Sequence, residues 1–140
     1  MRGSCLCGGV EFEVLDPPRK LYQCHCSLCR KQSGAASNAA FIVRGDQLVW
    51  HAGQNLVSSY VKPSGFRSDF CSRCGSPVPN VLRNTSTVWV PAGLLEDSSS
   101  LAVAIHLFVG SKASWEPSPA SGTLHEEMPG FGELLKGLRS

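Results

Sequence analysis

Phe70-Cys71-Ser72-Arg73-Cys74-Gly75-Ser76 holds two cysteines separated by two residues and followed by a glycine. That C-x-x-C-G spacing is a tight knuckle: two sulfurs converge on one ion, and the glycine supplies the turn that follows. Two further groups lie N-terminal to it, Cys24-His25-Cys26-Ser27-Leu28-Cys29 and Cys5-Leu6-Cys7-Gly8-Gly9, and together the three contain all seven cysteines of the chain. Read as an extended segment, Cys5 and Cys7 direct both sulfurs to one face. Joined to Cys71 and Cys74 they make a closed, tetrahedral four-thiolate site, which is structural in kind. Cys24, Cys26 and Cys29 then form a second site with no eighth cysteine to complete it. A zinc held by these three keeps a position for water or substrate, which is what separates catalytic from structural zinc. The competing partition pairs Cys71 and Cys74 with two of the middle group, and iron–sulfur ligation uses similar spacings. The expectation is two zinc ions per chain.

The rest of the sequence agrees with a fold of short segments. At 140 residues, with 42% hydrophobic content, the chain is expected to form one soluble globular domain spanning 1–140. Its 14 glycines and 9 prolines are spread along the chain and argue against a helical bundle. Val10, Phe12 and Val14 alternate with Glu11 and Glu13, the pattern of a half-buried strand. Leu21 and Tyr22 lead into the middle cysteines, after which Ser27 is placed to cap a helical turn that ends near Gly34. Segments 39–43 and 48–51 read as a hairpin, and further strands are expected at 56–61, 66–70, 77–83 and 87–91. Residues 102–109 read as a buried strand interrupted only by His106, and 131–138 as a short amphipathic helix. The fold class is mainly β, with small antiparallel sheets around two zinc sites.

No apolar run reaches the roughly 18 residues of a membrane span, and the N-terminus lacks the apolar stretch of a signal peptide. A cytoplasmic, reducing setting is expected, where the thiols stay reduced. Seven thiolates on two dications change the formal charge from +2 to −1, and the 13 Lys and Arg are scattered. Neither feature points to nucleic acid or a membrane as partner.

Three thiolates donate strongly, so zinc at Cys24, Cys26 and Cys29 is a weaker Lewis acid than one on three histidines, which disfavours plain hydrolysis. Such a soft site suits a small thiol, held deprotonated near a carbonyl electrophile. Arg30 and Lys31, directly after Cys29, are candidate partners for that thiol's carboxylates. His25 should point away from the neighbouring sulfurs, beside the site or at the surface rather than serving as a fourth ligand. His106, in an apolar strand, reads as a hydrogen-bonded core histidine.

These motifs resemble the glutathione-dependent formaldehyde-activating enzyme and centromere protein V family. The resemblance rests on Gly3-Ser4-Cys5-Leu6-Cys7-Gly8, Cys24-His25-Cys26-Ser27-Leu28-Cys29-Arg30-Lys31, Phe70-Cys71-Ser72-Arg73-Cys74-Gly75-Ser76 and His106-Leu107-Phe108-Val109 with Lys112 and Trp115, and spans about residues 3–116. It implies an Mss4-like fold, a structural zinc on Cys5, Cys7, Cys71 and Cys74, and a catalytic zinc on Cys24, Cys26 and Cys29. It further implies a carbon–sulfur lyase that condenses glutathione with formaldehyde. The alternative is a zinc-stabilised binding module in which the cysteines are scaffolding only.

Overall fold

The computed structural model describes residues Met1–Ser140 and divides them into two compact units. The chain is mainly β, with small sheets and few helices, as the turn-rich sequence predicts.

The first unit comprises Met1–Pro17 and Ile42–Ser99. Strand β1 (Arg2–Ser4) pairs antiparallel with β2 (Glu11–Val14), placing Gly3 opposite Phe12. Phe12, Val10 and Val14 are fully buried, as their alternation requires. The segments expected as one hairpin separate. The earlier becomes β4 (Asn38–Arg44) and the later β5 (Leu48–Ala52), and β5 pairs with β2, with Phe12 opposite Trp50. The cause lies in the connection: Gly45–Gln47 forms a 3-10 turn, and Gln47 donates from its side-chain amide to the carbonyls of Leu15 and Asp16. Strands β6 (Val57–Val61) and β7 (Arg67–Cys71) form a two-stranded ladder that delivers Cys71 at its end. The strand expected over 77–83 shrinks to β8 (Asn80–Val81), paired with β9 (Thr87–Pro91), because Pro77 and Pro79 have no N–H to give a ladder.

The second unit comprises Pro18–Phe41 and Ser100–Ser140. Here β3 (Lys20–Cys24) is flanked by the antiparallel start of β4 and, on its other side, by parallel β10 (Ala102–Leu107). Parallel β11 (Thr123–Leu124), which the sequence does not announce, extends β10 outward. The sheet is therefore mixed rather than purely antiparallel. Only Ile105, His106 and Leu107 of β10 are buried, while Ala102 and Val103 face solvent. Between β3 and β4 lies helix α1 (Ser27–Ser33). The C-terminal helix α2 (Phe131–Arg139) matches its amphipathic pattern, burying Leu134 and Leu138, one turn apart.

Candidate metal centres

In the first unit Cys5 and Cys7 do not lie on an extended strand. They sit in a turn closed by the Gly8 N–H donating to the Cys5 carbonyl (3.0 Å), with Gly8 at φ 78°. The second turn is built alike: the Gly75 N–H donates to the Cys71 carbonyl (2.7 Å), and Gly75 also has φ 78°. A side chain is rarely tolerated at that φ, which is why a glycine closes each cysteine turn. The Leu6 N–H donates to the Ser76 hydroxyl (2.9 Å) and so ties one turn to the other. The sulfurs of Cys5, Cys7, Cys71 and Cys74 all lie within 4.8 Å of one another. Cys5–Cys7 is 3.5 Å and Cys7–Cys71 is 3.8 Å. Tetrahedral zinc with Zn–S bonds of about 2.3 Å spaces its sulfurs by about 3.8 Å, whereas a disulfide needs about 2.05 Å. All seven cysteines are free thiols, and this quartet fits a tetrahedral ion.

Cys5 and Cys71 are buried in a cluster with Val10 and Val78, against which Trp50, Leu56, Val57 and Leu94 pack. Backbone N–H groups of Val10 and Gly9 donate to Cys5 and Cys7. Hydrogen bonding with Ser76, first through its side chain and then its backbone, holds the Cys74 thiol down at about 5. Donors aimed at sulfur favour the thiolate, the form in which cysteine binds metal.

In the second unit a different local design gathers three sulfurs. Cys24 ends β3, Cys26 caps α1, and Cys29 is the buried residue of that helix's first turns. The cap is Cys26, not Ser27: its sulfur accepts from the Cys29 N–H (3.4 Å), doing what a serine oxygen usually does. The helix ends at Gly34, whose N–H donates to the Arg30 carbonyl. Cys24, Cys26 and Cys29 lie within 4.8 Å of one another, and no His, Asp or Glu joins them. Cys24 and Cys29 are buried, and Cys26 is half-exposed. Cys24 and then Cys29 hydrogen-bond to Cys26 and hold its thiol at about 2, while Cys26 pushes Cys24 up to about 11. Cys24 and Cys26 drive Cys29 far above the ordinary thiol range. Sulfurs this close oppose one another's ionisation, and a dication is what lets all three be thiolates together. This donor set fits a soft metal ion.

His25 is fully buried rather than at the surface, and its ring nitrogens are not among the clustered ligand atoms. Its Nδ1 lies 3.1 Å from Glu116 Oε2 and its Nε2 lies 3.1 Å from His106 Nδ1. A carboxylate accepts, so the hydrogen of the first contact sits on Nδ1, while His25 Nε2 and His106 Nδ1 share a single hydrogen between them. His106 is the buried core histidine expected, and burial, then the neighbouring His25, hold its pKa below the ordinary imidazole value. Glu116 escapes a sequence reading, because it stands 91 residues from His25 with no local motif around it. Arg30 is half-buried, with its Nε enclosed and without a hydrogen-bond partner, whereas Lys31 is exposed.

Four sulfurs are thus gathered in one unit and three in the other. The profile of the family described as "Glutathione-dependent formaldehyde-activating enzyme" matches residues 1–111. The chain belongs to this family. It is 37% identical over 82 residues to a Halomonas elongata protein named "Putative glutathione-dependent formaldehyde-activating enzyme", a match covering 54% of this chain and 52% of that protein. The chain thus spans about half the length of that curated relative. A crystal structure of a Rhodobacter sphaeroides protein superposes with a TM-score of 0.55 at 27% identity, covering 69% of this chain and 88% of the other. No helix is long and apolar enough to cross a membrane.

Proposed function

We propose that the chain is a zinc-dependent enzyme of the carbon–sulfur lyase type that adds a small thiol, glutathione or a relative, to formaldehyde or a related aldehyde. One zinc belongs to Cys5, Cys7, Cys71 and Cys74 as a structural ion, and the other to Cys24, Cys26 and Cys29 as the catalytic one. The observation that carries the reading is the trio of sulfurs which no fourth side chain completes, with the nearest histidine committed through both ring nitrogens. When bound there, zinc supplies the positive charge that brings an incoming thiol's pKa of about 8.5 below ambient pH.

The protein's own groups do the rest. Cys24 and Cys29 anchor the site from the buried side, and half-exposed Cys26 marks the side from which a substrate enters. Arg30, which follows Cys29 in α1 and is half-buried, is the group to receive a substrate carboxylate, and exposed Lys31 adds charge in the same helix. In the reaction a sulfur–carbon bond forms, the carbonyl π bond opens, and the proton lost by the thiol is matched by one gained at the product oxygen. Seven unpaired thiols suit a reducing, cytoplasmic setting.

Cobalt-substituted protein tests this. Millimolar glutathione should change the thiolate-to-cobalt absorption, more strongly as pH rises toward the free thiol's pKa, since fewer protons then have to be displaced. An unchanged spectrum means that the fourth position is filled, and a binding module without catalysis becomes the better description.

A further inference from the structure

Glu116 lies past residue 111, where the family match ends, yet its carboxylate reaches the ring of a residue that stands between two of the three clustered cysteines. We propose that Glu116 is a positioning residue for the three-cysteine centre, acting through His25. The inference rests on the reading of this centre as a metal site and adds to it the residue that sets its donor geometry.

His25 shares a peptide plane with Cys24 on one side and with Cys26 on the other, so whatever holds His25 restrains the backbone that carries both sulfurs. Three contacts fix it. Its N–H donates to the Leu107 carbonyl (2.9 Å), its Nδ1 faces Glu116, and its Nε2 faces His106. The ring has no access to water, so a lost partner cannot be replaced by solvent. Partners hydrogen-bonded directly to a metal ligand commonly alter metal affinity by about 10–100-fold when removed; Glu116 acts one residue further out, so the low end of that range applies to it. Glu116 is itself held independently of its carboxylate. Its N–H donates to the Ala113 carbonyl (3.1 Å), and Lys112 Nζ donates to its backbone carbonyl (2.9 Å). Changing the side chain therefore leaves the path of the chain in place.

The experiment follows metal release from the zinc-loaded full chain to a chelator, comparing wild type, Glu116→Leu and Glu116→Gln. The release phase of the three-cysteine centre is identified as the one missing from Cys29→Ser. Leucine keeps the bulk and removes the acceptor, whereas glutamine keeps an acceptor oxygen. Glu116→Leu should speed release from the three-cysteine centre by about tenfold, leave the other phase unchanged, and shift the cobalt d–d bands of that centre. Glu116→Gln should stay within about threefold of wild type, a margin well below that 10–100-fold range. Release from Glu116→Leu at the wild-type rate overturns the proposal, as do equal acceleration of both phases and a glutamine variant as fast as the leucine one. A wild type that holds a single metal ion removes the three-cysteine centre itself, an outcome distinct from the others.

Discussion

Cys7 Sγ lies 3.8 Å from Cys71 Sγ across 64 residues of sequence. No strand pairing joins the two turns that carry them. Between these turns stand the Leu6-to-Ser76 hydrogen bond, the buried cluster around Cys5 and Cys71, and the sulfurs themselves. Four sulfurs brought this close repel one another once ionised, so the arrangement has its full stability only with a cation among them. The three-cysteine centre differs in scale, since its ligands all come from one six-residue stretch.

Protein purified without chelator should accordingly contain close to two zinc ions per chain, and elemental analysis is the check. A value near one, or iron in place of zinc, contradicts the two-centre description.

The difference in loop length sets the relative cost of losing each centre. In the chain-entropy relation, closing a loop of roughly 65 residues stabilises by about 4 kcal/mol, and closing one of six residues by about 2 kcal/mol. Cys71→Ser should therefore lower the melting temperature more than Cys29→Ser, by more than about 10 °C for the former at this chain size. Melting curves in which Cys29→Ser is at least as damaging would reverse the assignment of structural and catalytic roles.

The cysteine groups were legible because metal-ligand spacing is a local property, and so were the period-2 strand at Val10–Val14 and the amphipathic end at 131–138. Pairing was less so. The 39–43 and 48–51 segments parted because Gln47 is held by Leu15 and Asp16, a contact no local pattern announces. Cys5 and Cys7 converge through a glycine turn, although strand alternation would also have put them on one face, so the right juxtaposition follows from a different backbone. Glu116 was invisible for the same reason as Gln47: a single polar residue acquires its meaning only from a partner far along the chain.

Stability should also fall on mild acidification, with a share traceable to His106. Burial, and then His25 beside it, depress the folded-state pKa of this ring below its ordinary 6.5, and Glu116 is the acidic group that opposes the shift. As pH drops through 6.5 the unfolded chain binds a proton there that the folded chain does not, so folding loses up to about 1.4 kcal/mol per pH unit until the folded pKa is reached. Urea midpoints at pH 7.5 and 5.5 should therefore differ more for wild type than for His106→Gln. The zinc thiolates contribute equally to both proteins, so parallel losses would show that His106 does not carry this dependence.

Arg30 offers a test of substrate recognition that leaves the metal centre intact. It follows Cys29 directly in α1 and is half-buried, and since its enclosed Nε has no acceptor, the remaining guanidinium N–H donors are the ones that can meet an added carboxylate. A hydrogen bond to a charged group is worth about 1.5–3 kcal/mol, so Arg30→Gln should weaken glutathione binding by about 10–100-fold. A thiol without carboxylates, such as 2-mercaptoethanol, should bind both proteins alike, because it engages the centre through sulfur alone. Lys31→Gln should have a smaller effect, since its ammonium is exposed and its interactions are screened by water and salt. Titrations of cobalt-substituted protein with the two thiols separate these cases. Equal weakening for both thiols would mean that Arg30 supports the fold of α1 rather than the substrate. No weakening for either would move the carboxylate contact to another residue.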